Sequence, residues 1–310
     1  MANINDVSRL ANVSKATVSR VLSGSRGVKE ESRLAVMQAV ETLQYKPSVI
    51  AQSLSTQSTG CIGVICAAEN INQSTGYLHA LEKELRLNQK YLLLRFATDA
   101  AGLAHSVNEI GRGLCDAMIV IGARFELPPL PENVITIDCL DEDSDRSIHF
   151  DRSFAAETAC QYVLQQGRRQ IALINAENVE TAGQILQGYH QALEKFLLPY
   201  DRRLVHSGEQ ALAQLLAQNV PFNALLVPDD ASAQDALRQL AQHGRAVPAS
   251  VMVFSLDSTL PPGISAVPAI TYPLEKLAQT AMALLAGQFS ANAGAPVRGQ
   301  ICLPLQSYTY

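Results

Sequence analysis

Apolar residues follow two different rhythms along this chain, and the rhythm changes near residue 60. Before that point Ile4, Val7, Leu10 and Ala11 recur at three- and four-residue spacing, the period of one helical face. A second helix is expected from Ser14, with Val18, Val21 and Leu22 turned inward. A third is expected across "KEESRLAVMQAVETLQY", with Val36, Ala39, Val40 and Leu43 inward. Asn3 with Asp6 three residues on, and Ser14 ahead of the second stripe, are side chains that cap helix starts by accepting orphan backbone N–H groups. "SGSRG" reads as a loop, and Pro47 ends the third segment. "PSVIAQSLSTQSTG" follows as a polar connector with room for one short helix capped by Ser48.

From Gly60 short β-rich apolar runs alternate with helical segments. "CIGVICA", "KYLLLRFA", "CDAMIVIG" and "NVITIDC" form a first set of strands; "QIALINA", "RRLVHS", "NALLVPD" and "SVMVFSLD" form a second. Stretches such as "YLHALEKELRLNQ" and "AGQILQGYHQALEKF" lie between them at helical spacing. Such alternation builds parallel sheets with crossover helices. Two runs of comparable length predict two Rossmann-like lobes, with a ligand cleft beyond the carboxyl ends of the strands.

Composition narrows the class. The chain has 310 residues, more than one hydrophobic core usually holds, so more than one domain is expected. Apolar content of 47% against 17% charged describes an ordinary globular protein. No apolar run approaches the roughly 18 residues of a membrane span. "MANINDVSRL" lacks the apolar core of a secretory signal, so a cytoplasmic protein without a membrane partner is expected. Six cysteines form no CxxC pair, and several sit inside apolar runs, which reads as buried reduced thiols. The net charge of −5 hides an asymmetry: residues 1–58 carry +3 and the remainder −8. A basic head on an acidic body suits contact with a polyanion. There is no phosphate-binding loop, no GxSxG and no HExxH, and the histidines lack metal-ligand spacing. Neither an enzyme nor a cofactor or metal is expected.

Two short helices joined by a tight turn are the arrangement that places a second helix in the major groove of DNA. The first residues of that helix, Lys15, Ala16 and Thr17, reach base edges, and Arg20 shares their face one turn on. Arginine can bond guanine bidentately, while Ser14 and Ser19 suit phosphate oxygens. The competing reading is an ordinary helical hairpin with a solvated basic face.

Several features in register favour the first reading. "DVSRLANVS", "ATVSRVL", "LQYKP" and the connector's "AQSL", followed by a two-lobed α/β core, resemble the lactose/galactose repressor (LacI/GalR) family along essentially the whole chain. The resemblance implies an α/β fold: an all-α helix-turn-helix head over 1–46, a hinge helix and linker over 47–59, and two Rossmann-like lobes of periplasmic-binding-protein type over 60–310. By position it implies base contacts at Lys15, Ala16, Thr17 and Arg20, and backbone contacts at Asn3, Ile4, Ser14, Ser19, Gly27, Ser32 and Tyr45. Ala51 and Leu54 match the hinge helix, whose leucine wedges a base step open in the minor groove. Ser48 stands where asparagine is common. In the cleft, Asp151, Asp229 and Asp257 fall at effector-binding positions. The chain departs from the pattern at Ile185, where relatives carry an arginine before "L-x-G-[FYW]".

The expected protein is a ligand-responsive repressor of a carbohydrate-utilisation operon. A homodimer would bind pseudopalindromic double-stranded DNA and a small-molecule effector, a sugar. The alternatives are a non-sugar effector, or none, as the Ile185 slot allows. An enzyme carrying a DNA-binding head is a further rival, and it would need a phosphate loop that the sequence lacks.

Overall fold

The computed structural model describes residues 2–24, 27–45, 58–67, 75–140, 145–208, 210–258, 260, 265–287 and 296–304. Ser48, Ala51 and Leu54, and with them the expected hinge helix, lie outside these residues. The chain divides into two compact units: Met1–Cys61 with Gly113–Asp116, and Ile62–Arg112 with Ala117–Tyr310.

The first unit opens with helices α1 (Ile4–Leu10), α2 (Lys15–Leu22) and α3 (Glu30–Thr42). Asn3 Oδ1 accepts from the N–H groups of Asn5 and Asp6, and Asp6 Oδ2 accepts from Asn3 N–H, a reciprocal capping box. Between α1 and α2 the backbone turns through Asn12 at φ 52°. Asparagine tolerates this left-handed conformation better than most residues. The Ser8 hydroxyl holds the turn by donating to Val13 O at 2.6 Å. Val7, Val18, Val21, Val36 and Ala39 meet in one small apolar core, with Val40, Leu43 and Tyr45 packed at its edge. The inward stripes read from spacing pack in or against this core, except Leu10, which ends α1 and is 53% exposed.

The second unit carries two sheets. The first runs in the order β2 (Tyr91–Phe96), β1 (Cys61–Cys66), β3 (Ala117–Ile121), β4 (Val134–Ile137), β5 (Ser147–Ile148). Helices α4 (Thr75–Leu87) and α5 (Ala100–Gly111) follow its first two strands. The second sheet centres on β6 (Ile171–Asn175), β8 (Ala224–Val227), β9 (Met252–Ser258) and β10 (Ala269–Thr271). Edge strands β7 (Val205–Ser207) and β11 (Gln300–Cys302) flank it, and β11 alone runs antiparallel, against β10. Its helices are α6 (Arg152–Gln165), α7 (Val179–Lys195), α8 (Ala211–Ala217) and α9 (Asp230–Gln242). The chain then returns to the first lobe, where α10 (Leu274–Leu285) lies beside α4 and β4. Lys83 Nζ meets Glu275 Oε1 there at 2.6 Å.

One expected strand is shorter than its pattern. "RRLVHS" begins as a 3-10 turn over Arg202–Leu204 before β7. The cause is local: Asp201 Oδ1 accepts from Arg203 N–H at 3.0 Å and its carboxylate pairs with the Arg203 guanidinium, curling the start. Strands β5, β10 and β11 have only two or three residues. That is too short for an alternation to register.

Helices α6 and α7 pack closely through Gly188, the glycine of "LQGY". A Cβ there would lie 1.9 Å from the carbonyl oxygen of Ser153. Gly188→Ala is expected to force the helices apart and destabilise the core by about 1–3 kcal/mol. Urea unfolding monitored by circular dichroism measures this, and an unchanged midpoint would show that the two helices separate without cost.

Candidate nucleic-acid interface and interlobe site

The exposed end of the head is its second helix. Ser14 caps α2 by accepting Thr17 N–H at 3.1 Å, and the two hydroxyls bond to each other at 2.9 Å. This places Lys15 and Ala16 at the open N-terminal turn, exposed, with Thr17 half-buried behind them. Arg20 is exposed one turn on, and Ser19 is half-buried. Among the described residues neither Lys15 nor Arg20 has an ion-pair partner, whereas Arg9 and Arg33 pair with Asp6 and Glu30. Asn3 is exposed at the start of α1, and its side chain is occupied by the cap. Ser32 is half-buried in the first turn of α3. Gly27 is exposed at φ 91°, a conformation that favours glycine. Ile4 and Tyr45 pack on the head's own core.

In the second unit a chain of charges links the two lobes. Asp138 directly follows β4, is 8% exposed, and takes a left-handed φ of 55°. Its Oδ2 meets Arg124 Nη2 at 2.5 Å, and its Oδ1 meets Arg152 Nη2 at 2.5 Å. Arg124 also donates to the Asp138 carbonyl at 2.7 Å. Arg152, the first residue of α6, reaches Asp257 Oδ2 at 3.6 Å through its other terminal nitrogen. Asp257 lies near the carboxyl end of β9 in the second sheet, where a ligand-facing residue of a parallel sheet belongs.

Burial and charge set the two carboxylates apart. Burial disfavours ionised Asp138, but Arg152 and then Arg124 more than offset it and hold its pKa below the ordinary value. Asp257 is pushed up to about 7 by burial, only partly offset by Arg152 and reinforced by the nearby Asp138 charge. Three buried polar atoms around this network have no hydrogen-bond partner among the described residues: Asp257 Oδ1, His149 Nε2 and Tyr272 OH. Phe150, beside His149, stacks on Tyr272 with ring centroids 3.9 Å apart. A recess lined by Arg124, Asp138, His149, Arg152, Thr181 and Gln184 opens at this point. Orphan buried polar atoms cost free energy unless something fills their bonds.

The three cleft aspartates read from the sequence have different surroundings. Asp257 belongs to the network. Asp229 caps α9 by accepting Ser232 N–H at 2.7 Å. Asp151 caps α6, accepting Phe154 N–H at 2.9 Å and Arg298 Nε at 3.0 Å. Ile185 is 3% exposed within the core, so no polar group stands at that position. The guanidinium groups come instead from Arg124 and Arg152, which the sequence reading passed over. Arg152 follows Asp151 directly, and Asp138 ends "NVITID". The strand-end rule that selected Asp257 applies equally to Asp138.

Comparison with known proteins places these features. Residues 3–48 match the model described as "Bacterial regulatory proteins, lacI family", and residues 160–306 match a periplasmic binding protein-like domain. The HTH-type transcriptional regulator GalR of Escherichia coli (strain K12) is 29% identical over 276 residues, 84% of this chain and 80% of that protein. The HTH-type transcriptional repressor PurR of Histophilus somni (strain 129Pt) is 26% identical over 278 residues, 83% of each chain. Among solved structures, a Lac repressor dimer bound to operator and the anti-inducer ONPF superposes with a TM-score of 0.77 at 18% identity, covering 99% of both chains. A CelR–cellobiose complex gives 0.65 at 20% identity, covering 98% of this chain and 99% of that one. The helix-turn-helix head and two parallel-sheet lobes define a DNA-binding transcriptional regulator with an effector-binding core. The head matches the lacI-family model and the core a periplasmic binding protein-like domain, and the relatives they resemble are named as transcriptional regulators and repressors. Among its described residues no helix is long and apolar enough to cross a membrane.

The raised pKa of Asp257 has a stability consequence with a definite sign. A carboxyl whose folded pKa exceeds its unfolded value stabilises the fold when protonated, and that contribution is lost as pH rises from about 4 to about 7. Asp257→Asn removes the loss. The variant is expected to gain on wild type progressively between pH 4 and pH 7, by up to about 1.4 kcal/mol per pH unit, and to keep a constant advantage above that. Thermal melts across that range measure it. A gap that stays constant or shrinks with rising pH would mean that Asp257 is ionised throughout.

Proposed function

We propose that this protein is an effector-controlled repressor that reads its operator through the N-terminal turn of α2 and binds a neutral sugar between its lobes. The observation that carries the DNA-reading half is the division of charge in the head. Two basic side chains are spent on neighbouring carboxylates, while Lys15 and Arg20 stand exposed and unpaired beside Ala16 and Thr17. Ser14, Ser19, Asn3, Gly27 and Ser32 surround this face as backbone-contact residues, with Ile4 and Tyr45 supporting it from the core. Residues 47–59, with Ser48, Ala51 and Leu54, complete the interface as a hinge that enters the minor groove.

A homodimer on a pseudopalindromic site fits an edge in the first lobe. Strand β2 ends the first sheet, and Tyr91 and Phe96 on it are 62% and 47% exposed. An open edge carrying exposed aromatics is a surface for a second copy. Two-fold symmetry of the protein then matches two-fold symmetry of the site.

Arg20→Ala is expected to lose about 1–3 kcal/mol of specific binding while weak non-specific binding survives. Footprinting on a selected half-site and on base-substituted versions distinguishes the cases. Equal weakening on every sequence would make Arg20 a phosphate contact.

The sugar reading rests on the charge balance of the interlobe site. Arg124 and Arg152 are already matched by Asp138 and Asp257, so an anion gains little there. Asp257 Oδ1 and Tyr272 OH await hydrogen-bond partners of the kind sugar hydroxyls supply. Asp257 takes a hydroxyl directly, while Asp151 and Asp229 fix the starts of α6 and α9 beside the ligand. Hydroxyls donate best to the ionised carboxylate, so affinity should fall as pH drops below about 7, by up to tenfold per unit. Asp257→Asn should abolish that dependence and weaken binding by about 1.5–3 kcal/mol. Calorimetry at pH 6 and pH 8 tests this with the best hit from a thermal-shift screen of sugars, sugar phosphates and nucleosides. A phosphorylated best hit would overturn the neutral-sugar reading, and no hit at all would favour a regulator without an effector.

A further inference from the structure

Two cysteines meet where the connector joins the first sheet. Cys61 opens β1, and Cys115 stands two residues before β3, the parallel neighbour of β1. Asp116 N–H donates to Cys61 O at 2.8 Å, which holds the two segments side by side. The Cys115 thiol donates to Cys61 Sγ, with the sulfurs 3.1 Å apart. Cys61 is half-buried and Cys115 is buried.

The residue after Cys115 grips the residues before Cys61. The Asp116 carboxylate accepts from Thr59 N–H at 2.6 Å, Gly60 N–H at 3.0 Å, Ser58 Oγ at 2.6 Å and Thr59 Oγ1 at 2.9 Å. Four bonds to one carboxylate fix the end of the connector. Their strength depends steeply on distance and angle. The thiol pair and this clamp share one short stretch of backbone, so neither moves without the other.

We propose that Cys61 and Cys115 are a redox-modifiable dithiol, which a hydroperoxide converts to a disulfide, and that closing this bond loosens the Asp116 clamp on residues 58–60. The Cys61 thiolate attacks one peroxide oxygen. The O–O bond breaks, the departing alkoxide (hydroxide, from hydrogen peroxide) takes up the proton that Cys61 released on ionising and leaves as an alcohol or water, and Cys61 is left as a sulfenic acid. Cys115 sulfur then attacks Cys61 sulfur. The S–S bond forms, the S–O bond breaks, and the hydroxyl leaves as water with the proton that Cys115 gives up. The two sulfurs lose two electrons and the peroxide gains them.

Exposure assigns the roles. Cys61 is the sulfur a solvent oxidant reaches first. Burial, and then the bond to Cys61, push the Cys115 thiol up, so it keeps its proton until the second step. A disulfide needs its sulfurs about 2.05 Å apart, so the pair must close by roughly 1 Å. A displacement of that size passed to Asp116 takes bonds of 2.6–3.0 Å beyond hydrogen-bonding range. Residues 58–60 end the connector to the head, so the oxidised protein is expected to bind DNA more weakly. This last consequence rests on the DNA-reading proposal; the thiol chemistry does not.

The test uses the full chain, purified reduced and treated with hydrogen peroxide. Peptide mass spectrometry without reductant should find Cys61 linked to Cys115, reversibly with dithiothreitol. Amide hydrogen exchange at Thr59 and Gly60 should quicken roughly tenfold or more on oxidation, the scale set by losing bonds to a charged group. A duplex selected from a random pool by the reduced protein should bind the oxidised protein roughly tenfold more weakly. Cys61→Ser and Cys115→Ser, made separately, should match reduced wild type in exchange, form no disulfide with peroxide and show no quickening of exchange at Thr59 and Gly60, Cys115→Ser stopping at the Cys61 sulfenic acid. Absence of the 61–115 linkage overturns the proposal, as does a linkage that leaves exchange at Thr59 and Gly60 unchanged. Linkage with faster exchange, but no duplex selected even by reduced protein, upholds the dithiol and places the failure in the DNA-reading proposal.

Discussion

The buried carboxylate of Asp138, shared by two guanidinium groups, is the interaction on which the two-lobed unit depends. A guanidinium cannot shed its charge, so Arg152 at 12% side-chain exposure must be paired wherever the chain puts it. It is paired twice, with Asp138 beyond the first sheet and Asp257 on the second. Removing one partner from such a set typically costs about 3–5 kcal/mol, because it strands a buried charge. Three side chains thus tie the two sheets together across a charge network, beside the apolar core that both share.

Local chemistry carries the head. With six buried side chains in its core, it has little hydrophobic burial to draw on, and the caps matter correspondingly. Asn3 and Ser14 satisfy backbone groups that a short helix leaves open, and Ser8 bonds a carbonyl of the turn between them. They also determine what is exposed. Because Ser14 turns its hydroxyl back onto Thr17, the first turn of α2 presents Lys15 and Ala16 outward with their own side chains unengaged. Stability and recognition thus use adjacent residues for separate tasks.

Elsewhere a single small residue decides a contact. Gly188 lets α6 and α7 approach until its missing side chain is filled by the Ser153 carbonyl. Three residues earlier, Ile185 faces the core. Gln184 and Thr181 from the same helix line the neighbouring recess, with Arg152 from the preceding helix.

Much of this was legible in the sequence because it is periodic or local. Apolar spacing gave the three head helices and their inward faces, and Asn3, Asp6 and Ser14 announced the caps that the structure contains. Alternating strands and helices gave two parallel-sheet lobes, and the quoted motifs gave the family. What spacing cannot encode is which charges meet across a hundred residues. Arg124, Asp138, Arg152 and Asp257 are unremarkable as letters, since each lies at or just past a strand end or starts a helix like many others. Asp151 drew attention by position, yet its side chain caps a helix while its neighbour Arg152 turns into the interlobe site. One residue of helical rotation, about 100°, separates the two outcomes. The Cys61–Cys115 contact is of the same kind, since two cysteines 54 residues apart become neighbours only when β1 and β3 pair. Periodicity fixes elements and faces; side-chain encounters between distant segments wait for the sheets to assemble.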